Sequence, residues 1–140
     1  MPDHAFVDTS FLIARFNRRD RHHAAAAAFL REQRESDVEP LRLVLSDYVF
    51  DETVTTLLVH SGRHEIAVTA GRAIADSDSV KMIHVEPPMF EAAWALFQER
   101  RDKRWSFTDC TSFVLMEKLD IRKALTFDRN FREAGFAALP

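Results

Sequence analysis

Short apolar runs alternate with longer amphipathic stretches along almost the whole chain. Residues 5–7, 41–45, 80–85, 124–127 and 136–139 are β-prone runs of strand length. Asp8-Thr9-Ser10 caps a first helix running to about Phe16, and residues 22–34, with five consecutive alanines at 24 to 28, form a second behind Asp20. Ser46 or Asp47 caps a third over 48–60, stopped by Ser61-Gly62, and residues 63–75 form a fourth. Pro87-Pro88 opens a fifth helix to about residue 101, a sixth starts at Ser106 or Thr108 and ends near Leu119, and a helical turn covers 129–134. Strands alternating with helices of this length imply parallel pairing through right-handed crossovers. The pattern therefore predicts an α/β fold, a three-layer α/β/α sandwich on a parallel sheet of about five strands.

Three of the apolar stretches run directly into a carboxylate: AFVD at Asp8, SFTD at Asp109 and LTFD at Asp128. A carboxylate at such a boundary can point into the crevice at the sheet edge where ligands bind. Each has a simpler reading as a helix or turn cap, and Ser106 with Asp109 reads as a capping box. Capping explains each residue alone and leaves the recurrence unexplained. Like charges gathered together repel unless a cation neutralises them, and acids with few His or Cys beside them suit a hard divalent ion, Mg²⁺ or Mn²⁺. The helix over 48–60 supplies a fourth acid, either Asp51 or Glu52. Phe50, Val54, Leu57 and Leu58 share one face at helical spacing, and Asp51 flanks that face while Glu52 lies nearly opposite, so periodicity alone favours Asp51.

Composition narrows the setting. A chain of 140 residues that is 46% hydrophobic supports one well-buried core, so residues 1–140 read as a single domain. One cysteine, Cys110, excludes an internal disulfide and a zinc site of several thiolates, which fits a reducing compartment. Without a basic-then-apolar leader or a run of membrane-spanning length, a soluble, cytoplasmic protein with no membrane partner is expected. A net charge of −3 does not announce nucleic-acid binding, yet acids gathered at one site would leave the remaining surface more basic than the sum suggests.

FVDTSFLIA, SDYVFDETVTTLL, WSFTDCTSF and ALTFDRNF, in this order and spacing, resemble the four motifs of PIN-domain ribonucleases, closest to the VapC-like toxins of prokaryotic toxin–antitoxin pairs. The resemblance covers essentially the whole chain. Carried over residue by residue, it implies the acidic quartet Asp8, Glu52, Asp109 and Asp128 as catalytic and metal-holding residues, with Ser10, Ser106 and Thr126 as small polar residues beside them. It thus selects Glu52 where periodicity selects Asp51. It further implies a PIN-like sheet of about five strands, a metal-dependent endoribonuclease, an RNA substrate, a cognate antitoxin and a homodimer.

The chemistry such a quartet supports is phosphodiester hydrolysis by metal-activated water, without a covalent protein intermediate. RNA must then approach a negative site, and nearby cations are needed. Arg15, Arg18, Arg19 and Arg21 form one candidate patch, and Arg100, Arg101, Lys103 and Arg104 another; Arg15, Arg18, Arg101 and Arg104 are the RNA-binding candidates. Trp105 could stack on a base, although an aromatic at a helix start is more often core. His22, His23, His60 and His64 lack repeated metal-ligand spacing and read as surface residues. A haloacid-dehalogenase-type metal-dependent phosphatase would need Asp where Ser10 stands, and a response-regulator receiver would need an acidic pair near the N-terminus and a late Lys. A PIN-like RNA-binding module without catalysis would be expected to lack one or more of the acids, and all four are present.

Overall fold

The computed structural model describes residues 3–140. Five strands, β1 (His4–Val7), β2 (Arg42–Ser46), β3 (Val80–Ile83), β4 (Lys123–Leu125) and β5 (Ala137–Leu139), form one sheet in the order β3-β2-β1-β4-β5. Every pairing is parallel, with Phe6 opposite Val44 on one side and Ala124 on the other. Ala5, Phe6 and Val7 are consecutive and all buried. Alternate strand residues face opposite sides, so both faces of the sheet are covered, as a parallel sheet requires.

Seven helices flank it among the described residues: α1 (Thr9–Phe16), α2 (His23–Glu35), α3 (Asp47–Ser61), α4 (His64–Ala75), α5 (Pro87–Glu99), α6 (Phe107–Leu119) and α7 (Asn130–Glu133). The expected elements are all there, with ends moved by at most two residues. Val80–Ile83 stops two residues short of the expected strand because Val85 N–H is taken by Asp47 Oδ1 at 2.9 Å. Asp20 does not cap α2 itself; its Oδ1 accepts from His22 N–H at 2.8 Å, one turn earlier. Ser46 is the residue that caps α3, through Val49 N–H, and Gly62 at φ +67° closes that helix in the left-handed conformation glycine tolerates.

The chain moves from β1 outward through β2 to β3, then jumps back across to β4 on the other side of β1. The carboxyl ends of β1 and β4 therefore flank the point where the winding direction reverses, the usual ligand crevice of such sheets. Asp8 follows β1 and Thr126 follows β4, and Asp8 N–H bonds the Leu125 carbonyl at 3.0 Å. No helix is long and apolar enough to cross a membrane among the described residues.

Candidate active site

Asp8 caps α1 and is only 4% exposed. Its Oδ2 accepts three hydrogen bonds: from Ser10 Oγ at 2.7 Å, Thr126 Oγ1 at 2.9 Å and Ser10 N–H at 3.3 Å. Ser10 and Thr126 also touch each other at 3.2 Å. Thr126 Oγ1 accepts from Asp128 N–H and Ser10 Oγ from Phe127 N–H, each at 3.0 Å, so the β4 exit is tied to the start of α1. Asp109, 7% exposed, sits in the first turn of α6. Ser106 N–H and Asn130 Nδ2 both donate to its Oδ2 at 3.0 Å, and Ser106 Oγ accepts from Asp109 N–H to complete a capping box.

Both buried carboxylates therefore have one oxygen tied down, and no hydrogen bond among the described residues falls on either Oδ1. Neither Oδ1 is among the sealed, unpartnered polar atoms, which are Thr9 Oγ1, Thr53 Oγ1 and Trp105 Nε1. The free oxygens are consequently not sealed off from solvent. Capping and site chemistry are not rivals here: the same side chain caps with one oxygen and presents the other.

Asp109 links the four acids electrostatically. Burial pushes the Asp8 carboxyl up to about 7, and the charge of Asp109 adds to the rise against the bonds from Ser10 and Thr126. Burial likewise raises Asp109, with Asp128 and Glu52 adding to it. Asp8, Glu52 and Asp128 thus each lie within electrostatic reach of Asp109. Among the described residues no Lys, Arg or His forms an ion pair with any of them.

The structure puts Glu52, half-buried, toward this cluster, while Asp51 is exposed and accepts from Thr55 Oγ1 at 3.3 Å. The periodicity argument failed because it ranked positions by apolarity. The buried face of α3 is Val49, Thr53 and Leu57, and Leu58 is 40% exposed, so a fully buried threonine rotates the inward face toward Glu52. Trp105 takes the core position usual for an aromatic at a helix start, not a base-stacking one. It is 6% exposed, packed edge-on against Phe113, with Arg100 and Lys103 over its ring, so it belongs to the core. Arg15, Arg18, Arg101 and Arg104 are exposed. His22 and His23 are half-buried rather than surface residues, and His23 Nδ1 donates to the Ala14 carbonyl at 2.7 Å.

Asn130 is the residue sequence reasoning missed. Its Nδ2 bridges Asp109 Oδ2 at 3.0 Å and Asp128 Oδ2 at 3.3 Å, while its N–H donates to Asp128 Oδ1 at 3.0 Å. The local signal was an Asx-type pairing two residues after Asp128, but the reach to Asp109 crosses 21 positions of chain.

No group of three or more His, Cys, Asp or Glu side chains among the described residues is arranged to ligate an ion directly. Mg²⁺ needs no such cage: it keeps several waters and takes one or two carboxylates. Two buried carboxylates, each with a free oxygen that is not sealed off and no counter-cation among the described residues, match that demand. The neighbouring Cys110 does not, since burial and then Asp109 push its thiol up to about 11.

Residues 5–137 match the family described as PIN domain. The 23S rRNA-specific endonuclease VapC20 of Mycobacterium tuberculosis, from two strains, is 37% identical over 131 residues, covering 94% of each chain. A crystal structure of VapC20 from the same organism, described as a sarcin-ricin loop cleaving toxin, superposes with a TM-score of 0.85 at 35% identity over 95% of this chain and 96% of that one. Matched along nearly its whole length and folded around the acids that the motifs nominate, this chain belongs to the PIN-domain family.

Proposed function

We propose that residues 1–140 act as a single nuclease domain, a Mg²⁺- or Mn²⁺-dependent endoribonuclease that is the toxin of a toxin–antitoxin pair, with its target in 23S rRNA. The carrying observation is the pair of buried carboxylates, Asp8 and Asp109, each holding one oxygen free, with Glu52 and Asp128 in electrostatic reach of Asp109 and no ion-pairing cation among the described residues. The endonuclease relatives support the substrate class.

Asp8, Asp109, Asp128 and Glu52 would hold the ion, directly or through its waters. A divalent ion bound there supplies an acidic water near neutral pH and neutralises the charge that builds on the phosphate. The chain's own contribution is orientation. Ser10 and Thr126 fix Asp8, Ser106 fixes Asp109, and Asn130 keeps Asp109 and Asp128 together. Exposed Arg15, Arg18, Arg101 and Arg104 offer the phosphate backbone its counter-charge.

An apolar face supports the partner reading. Phe90, Trp94 and Phe97 follow helical spacing on α5 and are 42%, 50% and 41% exposed. Two copies laid face to face across it would bury the aromatics, the self-complementary arrangement a homodimer requires.

The decisive experiment supplies purified chain with ribosomal RNA in Mg²⁺, Mn²⁺ or EDTA and maps the new ends. Metal-dependent cuts leaving 5′-phosphates support the reading. Cyclic 2′,3′-phosphate ends would mean attack by the ribose hydroxyl and would overturn it. Induction in a host should arrest growth, with relief by a co-expressed antitoxin.

A further inference from the structure

Next to the acids stands a column of parallel rings that the nuclease chemistry does not use. The His22 imidazole lies on Phe127 with centroids 4.4 Å apart and planes 1° from parallel, and Phe127 lies over Phe11 at 5.8 Å and 7°. Phe29 closes the buried end edge-on at 6.1 Å. Phe11 is fully inside, whereas His22 is half-buried at the outer end. Phe127 directly precedes Asp128, and its N–H is bonded to Ser10, which holds Asp8. The column is thus anchored to the same hydrogen-bond network that orients the carboxylates.

The outer ring is held in place before any ligand arrives. Asp20 Oδ1 fixes the His22 N–H, Arg21 Nε donates to His22 Nε2 at 3.1 Å, and the next residue, His23, is pinned to α1. The segment leading to it is tied internally by Arg19 N–H to Asn17 Oδ1 at 3.0 Å and Asp20 N–H to the Asn17 carbonyl at 3.0 Å. Arg18, Arg19 and Arg21 on this segment are exposed, and none has a carboxylate within ion-pair distance among the described residues. A preset aromatic face flanked by uncompensated cations is what single-stranded nucleic acid meets in its binding proteins: rings for the bases, charges for the phosphates.

We propose that His22 is a nucleobase platform: an unpaired base flanking the scissile phosphate stacks on the outer face of its imidazole, extending the Phe11–Phe127–His22 column, while Arg18, Arg19 and Arg21 meet the adjoining phosphates. This rests on the ribonuclease reading and names the subsite that positions its substrate. His22 is here a positioning residue and takes no part in bond breaking. Stacking is tolerant of base identity, so the platform requires a base without dictating which one.

The probes are a synthetic RNA hairpin of the 23S rRNA sarcin–ricin loop and, in EDTA, short single-stranded oligoadenylate followed by fluorescence anisotropy. His22→Ala should raise KM on the hairpin and weaken oligoadenylate binding by about tenfold with kcat little changed, and His22→Phe should restore both. Removing single bases from the hairpin should reveal one abasic position near the cut that weakens wild-type binding by a similar factor and costs His22→Ala nothing further. That scan of the wild-type protein stands even if His22→Ala folds poorly. Wild-type cleavage with no sensitive abasic position, additive penalties from base removal and His22→Ala, or no rescue by phenylalanine would overturn the platform and leave the ribonuclease reading intact. Failure of the wild-type chain to cut any RNA in Mg²⁺ or Mn²⁺ would overturn both.

Discussion

The strand pair β1 and β4 ends in carboxylates at both edges of the sheet, under opposite conditions. At the amino edge, Asp3 precedes β1 and bonds the ammonium of Lys123, the first residue of β4; that bond chiefly holds Asp3 below the usual carboxylate range. At the carboxyl edge, Asp8 leaves β1 and Asp128 follows β4, and hydroxyl, amide and backbone donors surround the acids where a cation could have stood. The amino edge is a closed electrostatic pair in solvent, of the kind that contributes little to stability. The carboxyl edge is left unbalanced and buried, a cost the fold bears only where an outside charge completes it.

The sharpest way to break this contrast is to remove the unbalanced charge. Asp8→Asn or Asp109→Asn should lower RNA cleavage by about a thousandfold, read as initial rates on the proposed 23S rRNA substrate. The same variants should melt no lower than wild type in metal-free buffer at pH 8, because a buried uncompensated charge has gone. Loss of fold instead of function would mean the carboxylates are structural.

Glu52→Gln should cost about a hundredfold in rate, while Asp51→Asn should stay within about twofold. Reversal of that order would turn α3 against the orientation described above. Asn130→Ala should cost about tenfold, seen also as weaker Mn²⁺ binding by calorimetry, since an outer hydrogen-bonding partner typically tunes ligands by such factors.

Stability against pH should carry opposite signs at the two edges. The folded-state value of Asp8, about 7, lies above its ordinary 3.8, so the folded chain binds the extra proton between them. Its contribution is complete below about pH 4 and is lost as pH rises through 7, of the order of a few kcal/mol in metal-free buffer. The melting temperature should therefore fall by several degrees over that window, Asp8→Asn should flatten the fall, and Mg²⁺ should oppose it. Asp3, lowered, contributes above its ordinary value and loses that contribution as pH falls. Lys123→Ala should alter a thermal melt at pH 7 hardly at all and leave cleavage unchanged.

Much of this contrast was legible in the chain. The apolar runs located every strand, and the acids terminating them located the sheet edge, because both are local consequences of strand length and burial. The inward acid of α3 was not legible from periodicity, since nothing local marks Thr53 as fully buried; only the family motif selected Glu52. Asn130 and the His22–Phe127 stack were hidden for another reason. They join segments that are neighbours only in the fold, α6 with α7 and the start of α2 with the exit of β4, so their partners lie 21 and 105 positions away. Trp105 was placed at the right helix start, and its indole, turned back against Phe113, takes the core position usual for an aromatic there.

The one-sided fastening of Asp8 and Asp109 also bears on which ion the site would select. Each side chain has its conformation frozen by folding, so capture of an ion needs no further loss of rotational freedom there. Rigidity of that kind discriminates by radius. Donors already locked in place cannot spread to give a large ion its six to eight oxygens at roughly 2.3–2.6 Å, whereas a smaller ion closes the gap at about 2.0–2.1 Å and brings its own waters. Under the proposed reading, Ca²⁺ is a competitor the site resists by size.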